Sequence, residues 1–237
     1  MRNNAFLKAP LDRRLTAAAN FVRPGAVFAD IGTDHAYLPV FLAERGKIKR
    51  AVAADINRGP IERAEVNIFS SGYSKIISTK QTDGLTGLDG MGITDIAICG
   101  MGGELIAKII ENAEFTKDPS IRLILQPMTK AEVLRDCLLR NGFTIVGETL
   151  AKEDKVYQII CAEYTGNNGN YTDTELYLGR INIEKKDPLL PELTEGVLAF
   201  FNKKRAGKAE GGQNTESEDR MISALEEIIN EIRPSDE

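Results

Sequence analysis

The chain has 237 residues, 42% of them hydrophobic, which suits one large domain or a domain with an appendage. Its 30 basic and 35 acidic residues give a net charge of −5, unlike a strongly basic nucleic-acid-binding module. One histidine and three widely spaced cysteines argue against a metal site, and no apolar run approaches the roughly 20 residues of a membrane span. The N-terminus carries no secretory signal pattern, so we expect a cytoplasmic protein without a metal or membrane partner.

A basic pair precedes the first predicted strand. Arg13 and Arg14 are adjacent, and the acidic excess of the chain lies after residue 170, so the N-terminal part can present a local basic face. A solvated surface is the ordinary explanation for such a pair. The sharper hypothesis is contact with the phosphates of a nucleic acid.

The first predicted strand, Val27–Asp30, ends in a turn that contains a single glycine, Gly32. Such a turn is typical of an open α/β nucleotide-binding domain, although it lacks the G-x-G-x-x-G of dinucleotide enzymes. Carboxylates flank it and favour a cationic cofactor over a pyrophosphate, because like charges repel. S-adenosylmethionine carries an amine and a sulfonium. The turn therefore predicts a methyltransferase, with Asp30 and Gly32 at the cofactor.

Three polar or aromatic residues follow this turn and open the predicted helix Tyr37–Glu44. Asp34, His35 and Tyr37 lie beyond the carboxyl end of a strand, where active sites gather in such folds. We treat all three as candidate catalytic residues, with Tyr37 able to stack on a base. A structural role for the lone histidine is the alternative.

The second and third strands also end in acids. Asp55 closes the strand Ala51–Asp55 and is placed to accept hydrogen bonds from ribose hydroxyls, while Ile56 is placed to cover an adenine face. The third strand, Ile76–Ser78, runs on towards Asp83 and Gly84, which are placed to meet the adenine amino group. Turn or cap roles are the alternative for each acid. Acids at three successive strand ends favour the cofactor site.

The fourth strand, Asp95–Cys99, ends in a glycine-rich turn that includes Gly100, Met101 and Gly102. The functional hypothesis is a backbone surface against which a flat acceptor lies. A tight turn or a phosphate loop is the alternative. Gln126 follows the fifth strand and either helps to hold the acceptor or caps the next helix.

The remaining pattern completes the sheet. A capping box from Thr129 to Glu132 predicts a helix to Arg140, and the β-forming runs Phe143–Glu148 and Lys155–Tyr164 follow with no helix between them. Apolar strands that alternate with helices indicate a parallel sheet buried on both faces. We therefore predict an α/β fold, namely a class I methyltransferase Rossmann-like sheet, mostly parallel with an antiparallel edge hairpin.

The C-terminal part reads as helical. A polar linker, Thr165–Tyr171, separates a predicted methyltransferase domain, residues 1–165, from a helical, coiled-coil-like appendage, residues 171–237. Residues 206–219 are rich in Gly, Ser, Asn and Glu and predict a loop or disordered bend between two antiparallel helices on a mostly separate stalk. These two helices form a helical hairpin, which we interpret as a packing element, a dimerisation element or an RNA arm. We expect a monomer, with the oligomeric state left open.

Three motifs resemble those of a known family. Asp30-Ile31-Gly32-Thr33-Asp34-His35-Ala36-Tyr37-Leu38-Pro39, Ile98-Cys99-Gly100-Met101-Gly102-Gly103 and Gln126-Pro127-Met128 are similar to those of bacterial tRNA adenine-N1 methyltransferases that modify adenine 22 of the D arm, the TrmK family. The resemblance covers about residues 7–232. It implies an S-adenosylmethionine-dependent class I fold, a tRNA substrate, no metal, and cofactor contacts from Asp30, Gly32, Asp55, Asp83, Gly84 and Gly100.

The reaction expected from this resemblance is in-line methyl transfer to adenine N1. That nitrogen already has a lone pair, so the chemistry requires positioning and stabilisation of a cationic product, for which Asp34 is the candidate carboxylate. Three other classes stay open: a small-molecule methyltransferase, an NAD-dependent oxidoreductase and a non-catalytic RNA-binding protein on the same fold.

Overall fold

The computed structural model describes residues 11–232, in which seven strands form one sheet and helices cover both of its faces. The strands are β1 (Ala26–Ile31), β2 (Ile48–Asp55), β3 (Ile77–Gln81), β4 (Asp95–Gly102), β5 (Arg122–Thr129), β6 (Phe143–Lys152) and β7 (Val156–Tyr164). The helices are α1 (Arg13–Phe21), α2 (Tyr37–Glu44), α3 (Arg58–Ser71), α4 (Gly103–Glu111), α5 (Ala131–Arg140), α6 (Asp173–Leu178), α7 (Arg180–Glu184), α8 (Leu190–Glu210) and α9 (Glu216–Ile232), with a 3₁₀ turn at Glu114–Lys117.

The strand order is β3-β2-β1-β4-β5-β7-β6. The first five strands pair in parallel, and β7 pairs antiparallel with both β5 and β6. It follows that β6 runs in the same direction as the first five strands and that only β7 is reversed. The predicted fold class, a mostly parallel methyltransferase-type sheet with an antiparallel hairpin at its edge, is confirmed.

Both faces of the sheet are buried, which explains why the strands are almost continuously apolar. Ala29 and Ile31 of β1 point into a cluster shared with α4 and α5, whereas Phe28 points into a cluster shared with α1, α2 and α3. Neighbouring strands repeat this alternation, as Val52 against Ala53 shows on β2. Strand side chains have a period of two, so each strand supplies both cores.

Two local predictions were wrong. The predicted capping box does not form, because Thr129 is still paired to Gly102 in the sheet and Lys130, with φ +58°, becomes the residue before α5 without a side-chain cap. In the tail, helix α8 continues to Glu210 and α9 begins at Glu216, so most of the predicted bend is helical. Lysine, alanine and glutamate in that stretch are good helix formers, which offset its glycines.

The C-terminal helices share a core with the sheet. Leu150 of β6 packs in one cluster with Leu178, Leu190 and Leu225, and Val156 of β7 packs against it. Helices α6 and α7, which were not predicted, link the hairpin of α8 and α9 to β6. The prediction of a mostly separate stalk was therefore wrong, because the hairpin shares an apolar cluster with β6 and β7. The predicted domain boundary stays a prediction.

A buried ion pair lies at this junction. The Arg135 guanidinium on α5 bonds the Glu148 carboxylate on β6 at 2.7 Å, and both side chains are 0% exposed. Arg135 also donates to the Leu176 carbonyl on α6, and Glu148 accepts from the Ile181 N–H on α7. The pair thus satisfies the end of α6 and the start of α7, which otherwise would leave buried backbone groups without partners.

Breaking this pair should be costly. We expect Arg135→Met to lower the free energy of unfolding by about 3–5 kcal/mol, because it leaves the Glu148 carboxylate buried and unpaired. The control is Arg140→Met, which removes one partner of a surface ion pair and should lower the free energy of unfolding by less than about 1 kcal/mol. Urea denaturation measures both. The double variant Arg135→Met/Glu148→Leu should recover only part of the loss, because it removes the unpaired carboxylate but leaves the Leu176 carbonyl and the Ile181 N–H without these partners. Equal losses for all three variants would contradict this account.

Candidate functional site

The predicted cofactor residues meet at the edge formed by the carboxyl ends of the parallel strands. The N–H groups of Gly32 and Thr33 donate to the Ala54 carbonyl at 2.8 and 3.0 Å, which fixes the first turn against β2. The Thr82 N–H donates to the Asp55 carbonyl at 2.9 Å, which fixes the segment after β3 against the same strand. The three strand ends that carry acids are therefore direct neighbours.

Asp30 lies at the end of β1 and is only 7% exposed. Burial raises the pKa of its carboxyl group to about 6, and a hydrogen bond with Thr33 partly opposes that shift. Thr33 also accepts from the Ala36 N–H at 3.1 Å, so one buried hydroxyl joins the acid to the start of α2. Thr33 was not among the predicted site residues, although its position three residues before Ala36 is the spacing of a side-chain cap.

Gly32 has a φ of +76° and lies beneath the side chain of Met101 from β4. A Cβ at this position would collide with the Met101 methyl group. The first turn and the glycine-rich turn after β4 are thus in contact, and the Met101 methyl group occupies the space that a side chain at Gly32 would need. Two predicted elements, one for the cofactor and one for the acceptor, meet at this point.

The other predicted cofactor residues lie along β2 and β3. The Asp55 carboxylate accepts from the Asn57 N–H at 2.7 Å, and Ile56 is 55% exposed, free to cover a ligand ring. Gly84 has a φ of +54° and packs on Ile109 of α4. Asp83 is exposed and, with Gly84, lines a cavity of about 400 Å³ against α4 and the 3₁₀ turn.

Gly100 forms an irregularity in β4. Its φ is +84°, and the pairing with β5 jumps from Cys99–Gln126 to Met101–Pro127. The Gly100 N–H donates instead to the side-chain carbonyl of Gln126 at 3.1 Å. A bulge of this kind redirects the chain next to active sites. It places Met101 over the first turn and brings Gly102 to the start of α4.

Gln126 does not face an open site. Its side chain is fully buried, and its amide N–H group donates to the Pro127 carbonyl at 2.9 Å. Its oxygen accepts from Arg14 of α1 at 2.5 Å as well as from Gly100. The expected direct contact between Gln126 and an acceptor is therefore not supported by the geometry, because both ends of the amide are already bonded within the protein.

The candidate catalytic residues gather between α2 and α3. Asp34 is 63% exposed on its side chain, bonds the Arg63 guanidinium through one oxygen, and lies 3.5 Å from His35 Nε2 through the other. The His35 and Tyr37 rings stack with centroids 5.0 Å apart. Arg63 was not among the predicted site residues, because it lies 29 residues after Asp34 in the chain.

A cleft of about 470 Å³ is lined by His35, Tyr37 and Arg63. Ala36, between the two aromatic residues, has a φ of +53°, an uncommon conformation for a residue with a side chain. The His35 carbonyl accepts from the Asn67 amide at 2.6 Å, which holds this turn against α3. The motif thus presents its two rings at the surface, where Tyr37 is 52% exposed.

The basic pair is divided between two environments. Arg13 is exposed and lines a groove of about 710 Å³ between α1 and β6. Arg14 is 19% exposed on its side chain and bonds Asp12 at 3.0 Å in addition to Gln126. Arg13 suits the predicted phosphate contact, whereas the guanidinium of Arg14 points into the protein.

The chemistry of the edge suits a cation. A positively charged ligand would offset the cost of ionising the buried Asp30 carboxyl group. Within residues 11–232, no three metal-binding side chains come together, and no helix is long and apolar enough to cross a membrane. The buried Asp30 carboxyl group fits the sulfonium cofactor predicted from the sequence.

Comparison with known proteins supports this interpretation. A family model described as a methyltransferase domain matches residues 11–160. The tRNA (adenine(22)-N(1))-methyltransferase of Bacillus subtilis is 36% identical over 172 residues, which are 72% of this chain and 72% of that protein.

Solved structures agree with the fold over nearly the whole chain. The B. subtilis m1A22 tRNA methyltransferase TrmK has a TM-score of 0.80 at 29% identity, covering 95% of this chain and 99% of that one. Streptococcus pneumoniae Sp1610 in complex with S-adenosyl-L-methionine has a TM-score of 0.82 at 30% identity, covering 92% of this chain and 99% of that one. The C-terminal helices are thus included in the likeness.

Proposed function

The chain belongs to the family of tRNA (adenine(22)-N(1))-methyltransferases, and from this premise we propose that it methylates N1 of adenine 22 in the D arm of bacterial tRNA, with S-adenosylmethionine as the methyl donor. The observation that carries the proposal is the buried carboxyl group of Asp30 beside the turn at Gly32, whose φ is +76°. That acid lies where the carboxyl ends of β1, β2 and β4 meet, the ligand-binding edge of an open α/β sheet.

The cofactor is held by residues from four successive turns. When bound, S-adenosylmethionine supplies an electrophilic methyl group on a sulfonium. Asp30 would face its positive charge, and Gly32 and Gly100 would allow a close approach to the backbone. Asp55 would accept from ribose hydroxyls, and Ile56 would cover one face of the adenine. Asp83 and Gly84 would lie at the adenine end.

The acceptor requires positioning more than activation. Adenine N1 has a lone pair, so no residue has to remove a proton before the nitrogen can attack. Positive charge develops on the ring as the bond forms, and the Asp34 carboxylate and the carbonyl groups of Gly100–Gly102 stabilise it. Asp34 is also placed to receive the proton of the adenine N6 amine. Arg63 fixes the orientation of the Asp34 carboxylate.

The target base must leave its stack to reach this edge. N1 lies on the Watson–Crick side of adenine, so the base is unpaired or extruded when it reacts. The half-exposed ring of Tyr37, stacked on His35, offers a surface for that base. Arg13, exposed on α1, is placed for the phosphate backbone. The protein acts as a monomer in this proposal.

The activity is tested directly with labelled S-adenosylmethionine and unmodified bacterial tRNA. We expect one methyl group per tRNA, recovered as 1-methyladenosine at position 22, and loss of incorporation when adenine 22 is replaced by guanine. Raising the salt concentration should weaken the reaction steeply, because phosphate contacts are screened.

Each alternative gives a different result in this assay. Cofactor binding with salt-insensitive methylation of a small molecule would indicate a small-molecule methyltransferase, and tRNA binding without transfer would indicate a non-catalytic protein. Thermal stabilisation by NAD in place of S-adenosylmethionine would overturn the cofactor assignment.

Asp34 is tested by replacement with its amide. We expect Asp34→Asn to lower turnover by about 100-fold, since a neutral side chain stabilises the cationic ring less, while the cofactor Kd changes less than about threefold. Single-turnover methylation and calorimetry measure the two quantities. Asp173→Asn, in the exposed first turn of α6, is the matched control and should retain turnover. Unchanged turnover in Asp34→Asn would remove this carboxylate from the mechanism.

A further inference from the structure

The bulge at Gly100 depends on a side chain for its hydrogen bond. The Gly100 N–H has left the regular pairing with β5, and its partner is the Gln126 oxygen at 3.1 Å. This bond sets the path of the Gly100–Gly102 turn, which carries Met101 onto Gly32. The shape of the surface proposed for the acceptor therefore depends on how the Gln126 amide is oriented.

Two groups fix that orientation. Arg14 donates from Nη1 to the Gln126 oxygen at 2.5 Å, and the Pro127 carbonyl accepts from the amide nitrogen at 2.9 Å. If the amide turned over, its N–H group would face the N–H of Gly100, two donors without an acceptor. Arg14 disfavours this state, because its guanidinium can only donate. A positively charged donor makes this bond stronger than one between neutral groups.

Arg14 is held in place by its own neighbours. Its Nη2 bonds the Asp12 carboxylate at 3.0 Å, and the guanidinium carbon lies 5.9 Å from the centre of the Tyr157 ring. A Cβ on Gly100 would lie 3.7 Å from Nη1, so the guanidinium rests on the bulge itself. Helix α1 is thereby tied to the end of β4 through a residue of β5.

Resting on the proposed function, we propose that Arg14 is a positioning residue, which acts through Gln126 to hold the Gly100 bulge in the form that receives adenine. The expected phosphate contact of Arg14 gives way to this role, since the side chain is 19% exposed and bonds Gln126 and Asp12. The adjacent Arg13 keeps the phosphate role. A basic pair in the sequence thus divides into one residue for RNA and one for the active-site backbone.

The test compares Arg14→Met, Arg14→Lys and the distant surface variant Arg140→Met. We expect Arg14→Met to lower kcat at saturating tRNA by about 10-fold to 100-fold, because small displacements of a positioning surface are costly. The Kd values for S-adenosylmethionine and for tRNA should change less than about threefold. Arg14→Lys should recover part of kcat, because an ammonium also donates to the Gln126 oxygen. Arg140→Met should match the wild type.

Nuclear magnetic resonance gives a readout that does not need activity. The Gly100 amide signal should shift and its hydrogen exchange should accelerate in Arg14→Met, with Arg14→Lys intermediate and Arg140→Met unchanged. If Arg14→Met does not fold, the Arg14→Lys variant carries the comparison.

If Arg14→Met binds tRNA more weakly, with a smaller salt dependence and an unchanged kcat, the proposal is overturned in favour of a phosphate contact. An unchanged signal and an unchanged exchange rate of the Gly100 amide in Arg14→Met would also overturn the proposal. A wild-type protein that binds S-adenosylmethionine but methylates no tRNA would instead disprove the proposed function, while the Gly100 measurement would still decide the role of Arg14.

Discussion

A buried acid at the end of β1 is the constraint around which the site is arranged. Asp30 is 7% exposed, and no cation within residues 11–232 contributes to its pKa, which burial raises to about 6. Such a carboxyl group costs stability when it ionises, because it is desolvated and its hydrogen bond with Thr33 offsets that cost only in part. Parallel strands place this group beside the turns after β2 and β4. We propose that a positively charged ligand at that edge offsets this cost, which would make the site selective for a cationic cofactor.

The contacts around this acid form a continuous path from cofactor turn to acceptor surface. The first turn rests on Ala54, Met101 rests on Gly32, and the Gly100 bulge rests on Gln126 and Arg14. Farther away, the buried pair of Arg135 and Glu148 joins the sheet to the C-terminal helices. The ligand-binding edge and the helical hairpin therefore belong to the same sheet. The buried pair helps to explain why the hairpin packs against β6 and β7 instead of standing apart.

The features that could be predicted are those encoded by neighbours in the sequence. The apolar strands, the helix Tyr37–Glu44 and the acids at strand ends follow from local periodicity and turn chemistry. The misassigned features depend on distant partners. Thr129 has the residue type of a cap but is paired in the sheet, and Gln126 has the type of an acceptor contact but bonds Arg14, 112 residues away. A side chain's neighbours decide its role, and for these residues the neighbours come from other elements.

The most direct test of this account is calorimetric binding of S-adenosylmethionine to the wild type and to Asp30→Asn at pH 5 and pH 7.5. Positive charge on the ligand favours the ionised acid, so below its pKa of about 6 a proton must leave before the ligand binds. We predict that wild-type affinity is about tenfold weaker at pH 5 than at pH 7.5, with proton release on binding at pH 5. The Asp30→Asn variant should bind S-adenosylmethionine weakly at both pH values, with little difference in affinity between them. Equal wild-type affinity at both values, or undiminished binding by the variant, would contradict the central claim.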